Sequence, residues 1–190
     1  MNLTWLNEPP HWREDGNALH VTTGNKTDFW CRTHYGFIHD NGHFRHTPVE
    51  GDFSASATVS AAYSDLYDQA GLMVRVDAGN WLKTGIEFTD GGLHYSTVVT
   101  RDGYSDWSQL RLPAAVGATL EVRLTRHGEA LRVHYRSPGG AWTAARLAML
   151  AMGENVEVGS MCCTPERQGL EVTFRDFTVG APISRDLHAT

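Results

Sequence analysis

Arg75, Lys83 and Glu87 are spaced so that two cations and a carboxylate would meet on one surface, with the indole of Trp81 beside them. A carboxylate there can accept hydroxyl hydrogen bonds, and neighbouring cations lower its pKa and keep it ionised. The cations in turn suit a uronate or another acid group. The spacing that brings them together has a period of two. In 69–77 Ala70, Leu72, Val74 and Val76 alternate with Gly71, Met73 and Arg75. In 81–89 Leu82, Thr84, Ile86 and Phe88 alternate with Trp81, Lys83, Gly85 and Glu87. Such alternation is that of half-buried strands. With the apolar sets in the core, the charged residues share the opposite face, and Gln69 at the head of the first strand is counted with them. A plain cross-strand charge network explains the same pattern without a ligand.

A polar, aromatic loop, TDFWCRTHYG, adds Asp28, Trp30, His34 and Tyr35. Asp28 reads equally as a turn former that anchors the loop. Trp30, Trp81 and Trp107 are the candidate stacking platforms, because a sugar ring presents C–H groups to an aromatic face. Trp5, Trp12 and Trp142 lie outside this dense region. His34, His39, His43 and His46 do not follow a standard zinc spacing, so no metal is assigned. Asp40-Asn41 and 65–68 are thin grounds for calcium, which wants clustered oxygen ligands. Glycoside hydrolysis usually needs two acids, about 5–5.5 Å or 6.5–9.5 Å apart. The partner of Glu87 would have to come from a loop, with Asp28 or Asp106 as candidates.

The elements that would position these groups are strands throughout. Turn signals recur every eight to twelve residues, the rhythm of a sandwich or jelly roll. Asp40-Asn41-Gly42 reads as a hairpin turn between 35–39 and 43–47. Ser105-Asp106-Trp107-Ser108 reads as a turn that opens the next strand. Phe53–Ala61, Thr119–Arg126 and Leu131–Arg136 alternate as strands, and Val156–Cys162 and Leu170–Val179 close the set. Only Ala144–Met152 has helical character, with Gly153 as its cap. The strand His94–Arg101 is too evenly apolar for its groove-facing set to be chosen. Twelve to fourteen strands are expected, in one domain with an ordered core over about 3–180.

The 190 residues suffice for one all-β domain. A net charge of −6 speaks against a phosphate-tracking nucleic-acid binder. No apolar run reaches the roughly 18 residues of a membrane helix, and the N-terminal residues lack the pattern of a secretory signal. Three cysteines are an odd number, and adjacent Cys162 and Cys163 would point to opposite faces of a strand. A disulfide framework is therefore not expected, and a cytoplasmic location is.

Asp28-Phe29-Trp30 with Tyr35-Gly36-Phe37, Asp68-Gln69-Ala70-Gly71-Leu72, the run from Trp81 to Glu87, and Val98-Val99-Thr100 with Ser105-Asp106-Trp107-Ser108 occur in that order. Together they resemble an uncharacterised domain-of-unknown-function family of YesU-like and "regulation of enolase" proteins. The resemblance covers about Trp5 to Val179. It implies a two-sheet antiparallel β-sandwich, a concanavalin A-like jelly roll with a concave face, similar in fold to lectins and glucanases. The E-x-D-x-x-E signature of those glucanases is absent. Fold alone does not license an activity.

The leading expectation is a protein that binds a saccharide or sugar acid on its concave face, with no cofactor. Ligand contacts are expected from Asp28, Trp30, His34, Tyr35, Gln69, Arg75, Trp81, Lys83, Glu87 and Trp107. One alternative is a carbohydrate-active hydrolase or lyase using Glu87. The other is a regulatory or protein-interaction module, which would show an exposed apolar patch. A small-molecule or oligosaccharide partner is expected, nucleic acid and membrane are not, and self-association is left open.

Overall fold

Sixteen strands make up the computed structural model, which describes residues 1–114 and 118–188. Two seven-stranded antiparallel sheets form a sandwich. The first runs β1 (Thr4–Leu6), β6 (His43–Glu50), β15 (Asn155–Cys163), β8 (Gln69–Asp77), β9 (Asn80–Thr89), β10 (Gly92–Arg101), β11 (Tyr104–Arg111). The second runs β14 (Thr143–Met149), β13 (Ala130–Arg136), β12 (Thr119–His127), β7 (Phe53–Ala61), β16 (Glu171–Gly180), β3 (Ala18–Thr22), β2 (His11–Asp15). A two-stranded ribbon, β4 (Phe29–Cys31) with β5 (Ile38–Asp40), stands apart from both. The fold is the expected all-β, two-sheet antiparallel sandwich.

Several expectations are corrected. The helix over Ala144–Met152 is strand β14, paired to β13 across a bulge between Val133 and His134. Ala, Leu and Met are among the best helix formers, but such propensities are worth only fractions of a kcal/mol per residue, and sheet pairing overrides them. Ser105–Ser108 is not a turn; it lies inside β11. Asp40-Asn41-Gly42 does not close a hairpin, because β5 pairs with β4 while β6 pairs with β1 and β15.

Alternation along β8, β9, β10 and β15 divides the interior into two clusters. Leu72, Val74, Leu82, Ile86, Tyr95, Val99 and Cys162 face the second sheet and meet Phe53, Val59, Leu120, Leu124 and Phe174. Their neighbours Met73, Trp81, Val98, Met161 and Cys163 face the other way, where Phe29 and Cys31 of the ribbon cover them. The ribbon thus gives the first sheet a second, smaller core on its outer face. All three cysteines are buried and unpaired, with Cys162 and Cys163 in different clusters as their adjacency requires.

Gly71 and Gly85 oppose each other where β8 and β9 come close. A Cβ on Gly71 would lie 1.8 Å from the Thr84 carbonyl oxygen, so only glycine fits. Gly71→Ala is expected to cost about 1–3 kcal/mol by over-packing. Urea unfolding checks it, and an unchanged midpoint would mean that β8 and β9 can separate freely.

Candidate functional site

The uncovered part of the first sheet's outer face is a cleft of about 1010 Å³. Register fixes its floor. Gln69 on β8 pairs with Glu87 on β9, and Lys83 on β9 pairs with Val98 on β10, which in turn pairs with Trp107 on β11. The same register settles β10. Its His94, Ser96 and Val98 face outward, while Tyr95 and Val99 belong to the inter-sheet core.

Lys83 is 3% exposed, and its Nζ donates to Asp28 Oδ1 at 2.8 Å. Burial alone would lower the Lys83 pKa; the Asp28 carboxylate outweighs it, so the net displacement is upward. Asp28 is fixed from several sides. Its Oδ1 accepts from the Phe29 amide at 2.8 Å, and its own amide donates to Asn41 Oδ1 at 2.9 Å. Its carbonyl accepts from the Asn41 and Gly42 amides. The Asp-Asn-Gly turn therefore anchors Asp28 instead of closing a hairpin. Gln69 Nε2 bridges from the Tyr67 carbonyl (3.2 Å) towards Asp28 Oδ1 (3.5 Å).

Glu87, 5% exposed, sits further along the floor. Trp107 Nε1 donates to both Glu87 Oε2 (3.2 Å) and Ser96 Oγ (3.0 Å). Burial pushes the Glu87 carboxyl above its usual range, and Ser96, Lys83 and Trp107 pull it back only in part. This overturns the expectation that neighbouring cations hold it low. Desolvation of a carboxylate at the bottom of a cleft outweighs a lysine already neutralised by Asp28.

Aromatic rings build the walls. Tyr67, held at φ 65°, meets Trp107 edge to face at 6.4 Å. The neighbouring Tyr35 phenol, with burial, pushes the Tyr67 pKa up to about 12. Tyr35 stacks on Phe37 at 5.1 Å and 2° interplanar angle, and Trp30 approaches Tyr35 edge-on at 6.3 Å. The loop that carries them coils tightly, with Arg32, His34 and Gly36 all at positive φ. His34 packs on Tyr35 at 4.8 Å.

Asp28, Trp30, His34, Tyr35, Gln69, Lys83, Glu87 and Trp107 therefore line one cleft. Arg75 and Trp81 do not. Arg75 shares the face of Lys83 but makes a two-pronged pair with Asp40, both contacts at 2.9 Å. Trp81 is 0% exposed beneath Phe29, at 6.1 Å, and donates its indole N–H to the Ala78 carbonyl. It is a core residue and not a stacking platform. Tyr67, Phe37, Leu66 and Ser96 were not among the expected contacts, and His39 had been weighed only as a metal ligand; Ser96 alone carried a usable signal, its parity with His94 and Val98 once the face of β10 is known.

The oxygens considered for calcium are engaged elsewhere. Asp40 holds Arg75, and Asp65 and Asp68 hold Arg167. His43 is bonded to the Gly24 amide and the Asn7 carbonyl, and His46 to Glu157.

The family described as "Protein of unknown function (DUF1349)" matches residues 5–182. The chain belongs to the DUF1349 family. The "Regulation of enolase protein 1" of Saccharomyces cerevisiae is 42% identical over 188 residues, covering 97% of this chain and 92% of that protein. The crystal structure of a functionally unknown protein from Saccharomyces cerevisiae superposes with a TM-score of 0.91 at 41% identity, over 96% of this chain and 97% of that one. The carbohydrate binding module CBM66 from Bacillus subtilis shares the fold at a TM-score of 0.60 and 10% identity, over 93% of this DUF1349 chain and 95% of the module.

Proposed function

We propose that this DUF1349 protein binds a saccharide in the cleft over β8, β9, β10 and β11. The observation that carries the reading is the union of a buried polar floor with aromatic walls: Glu87 and Lys83–Asp28 below, and Tyr35, Phe37, Tyr67 and Trp107 around. Sugar hydroxyls both donate and accept, so they match a floor that offers both. Aromatic faces receive the apolar C–H side of the ring. Exposed apolar side chains at the cleft, Tyr35 at 56% and Trp107 at 38%, suit the same use. The carbohydrate binding module of like fold supports the reading as analogy only. The three unpaired, buried thiols suit a reducing, cytoplasmic setting.

The test is thermal stabilisation across an oligosaccharide panel. A ligand at one hundred times its dissociation constant adds about 2.7 kcal/mol. Trp107→Ala removes a wall and the N–H that holds Glu87, and is expected to weaken binding at least tenfold. Glu87→Gln is expected to weaken binding while leaving the protein as stable or more stable at neutral pH. The sign follows from the raised pKa: such an acid withdraws stability from the fold as pH rises from its unfolded value through the folded one, and Gln removes that loss. No stabilisation by any sugar, with the protein folded, would end the saccharide reading.

A second reading, a carbohydrate-active enzyme, is favoured by one observation. The floor holds two carboxyls in unlike settings, Asp28 paired to Lys83 and Glu87 held towards its protonated form by burial. Unlike pairs of this kind are how acid and base roles are divided. Product analysis on any sugar that binds decides it, with Glu87→Gln as the expected inactive variant.

A further inference from the structure

Resting on the saccharide reading, we propose that the ligand is a neutral glycan and that uronate-bearing glycans are excluded. The ground is the disposition of the charges around the cleft. Its charged lining residues are Lys26, Asp28, Lys83, Glu87, Asp106 and Glu166. Lys83 is neutralised by Asp28 on the floor. Asp106 faces away to Arg101 at 3.7 Å and Arg146 at 3.3 Å. Arg75, which shares the face of Lys83, is held by Asp40 outside the cleft. Arg32, on the aromatic loop, donates to the Gly103 carbonyl and lies over Tyr104. What remains is Lys26 and Glu166, both exposed at the rim, and on the floor Glu87, which burial holds towards its protonated form.

An acid group reaching the floor would lose its water there. It would meet the oxygens of Glu87 and Asp28, and the cation of the floor, Lys83, is already compensated by Asp28. Burying a charge without a partner is costly. A hydroxyl meets no such barrier. Lys83 Nζ spends one of its three protons on Asp28 and can donate again, and Glu87, Asp28 and Gln69 offer acceptor oxygens. Donors and acceptors without net charge, enclosed by rings, recognise a neutral polyol.

Calorimetry at physiological salt tests this with two ladders of matched length, neutral gluco-, xylo- and manno-oligosaccharides against oligogalacturonates. Neutral sugars are expected to bind at least tenfold more tightly than the uronates. Asp28→Asn frees the Lys83 charge, and Glu166→Lys adds a cation at the exposed rim without touching the buried pair. Each is expected to raise uronate affinity several-fold relative to neutral sugars. Uronates that bind the unmodified protein as well as neutral sugars do would overturn this inference and leave the saccharide reading standing. Absence of binding to either ladder at millimolar concentration would overturn both.

Discussion

Lys83→Met is expected to destabilise the protein by about 3–5 kcal/mol, because it strands a carboxylate that is held almost out of water. The side chains of Lys83 and Asp28 are 4% and 16% exposed, and their contact is 2.8 Å. Asp28 cannot turn away to solvent, since the Phe29 amide, Asn41 and Gly42 hold its position. Asp28→Leu leaves the opposite orphan, a buried ammonium, and is expected to cost a similar amount. The double variant Lys83→Met with Asp28→Leu should recover most of the loss, as apolar replacement of a buried pair commonly does. Urea unfolding of the four proteins gives the coupling energy directly. Additive single costs would show that the two charges do not depend on each other. The double variant would also lose sugar binding while folded, which separates the structural role of the pair from its place in the cleft.

Asp68→Ala is the second large effect, expected at about 3–5 kcal/mol because a buried network then loses its common acceptor. The residue is 0% exposed. Its carboxylate accepts from Thr164 Oγ1 at 2.6 Å, from Arg167 Nη2 at 2.6 Å, and from the Ser64 and Asp65 amides at 3.0 and 3.1 Å. Burial would raise its pKa, but Arg167, Thr164 and the two amides more than reverse that, so it lies below the usual carboxylate value. A carboxyl depressed in the fold adds stability that is complete above its unfolded pKa, about 3.9, and is lost as pH falls through the lower folded value. The stability of the protein should therefore fall in acid below about pH 4, and Asp68→Asn should flatten that slope. An unchanged slope would assign the acid sensitivity to other carboxylates. The site also feels this network, because Leu66 and Tyr67 on one side and Pro165 and Glu166 on the other flank the Asp68–Thr164–Arg167 clamp.

Strand parity carried most of the fold. Leu72, Val74, Ile86 and Phe88 lie opposite the polar set of their strands because a half-buried sheet leaves no other arrangement. The same parity brought Gln69, Lys83 and Glu87 to one face. It could not say what covers that face. Trp81 and Lys83 share a parity, yet Phe29 of a ribbon about fifty residues upstream lies over one, and the cleft opens above the other. Arg75 was lost to the site for the same reason, since its partner Asp40 is remote in sequence. The pKa of Glu87 depends on burial, which a list of neighbouring charges does not contain. Strand β14 was hidden because its Ala-rich composition reads as helix until β13 is available to pair with it.

The ribbon of β4 and β5 behaves as an exchangeable cassette. Its base is secured by Asp40 to Arg75 and by Asn7 to the Asp40 and Gly42 carbonyls, and further along the Cys31 amide donates to Ser105 Oγ. Its tip, Thr33 to Phe37, takes its main-chain hydrogen bonds from the ribbon itself. Rings at the tip can be swapped, lengthened or lost while the base and the sandwich stay intact. Selection acting on those few positions would reshape the cleft at little cost to folding, so paralogues with one scaffold and divergent cleft walls are a natural outcome. The same property makes the tip the place to graft a new specificity by design.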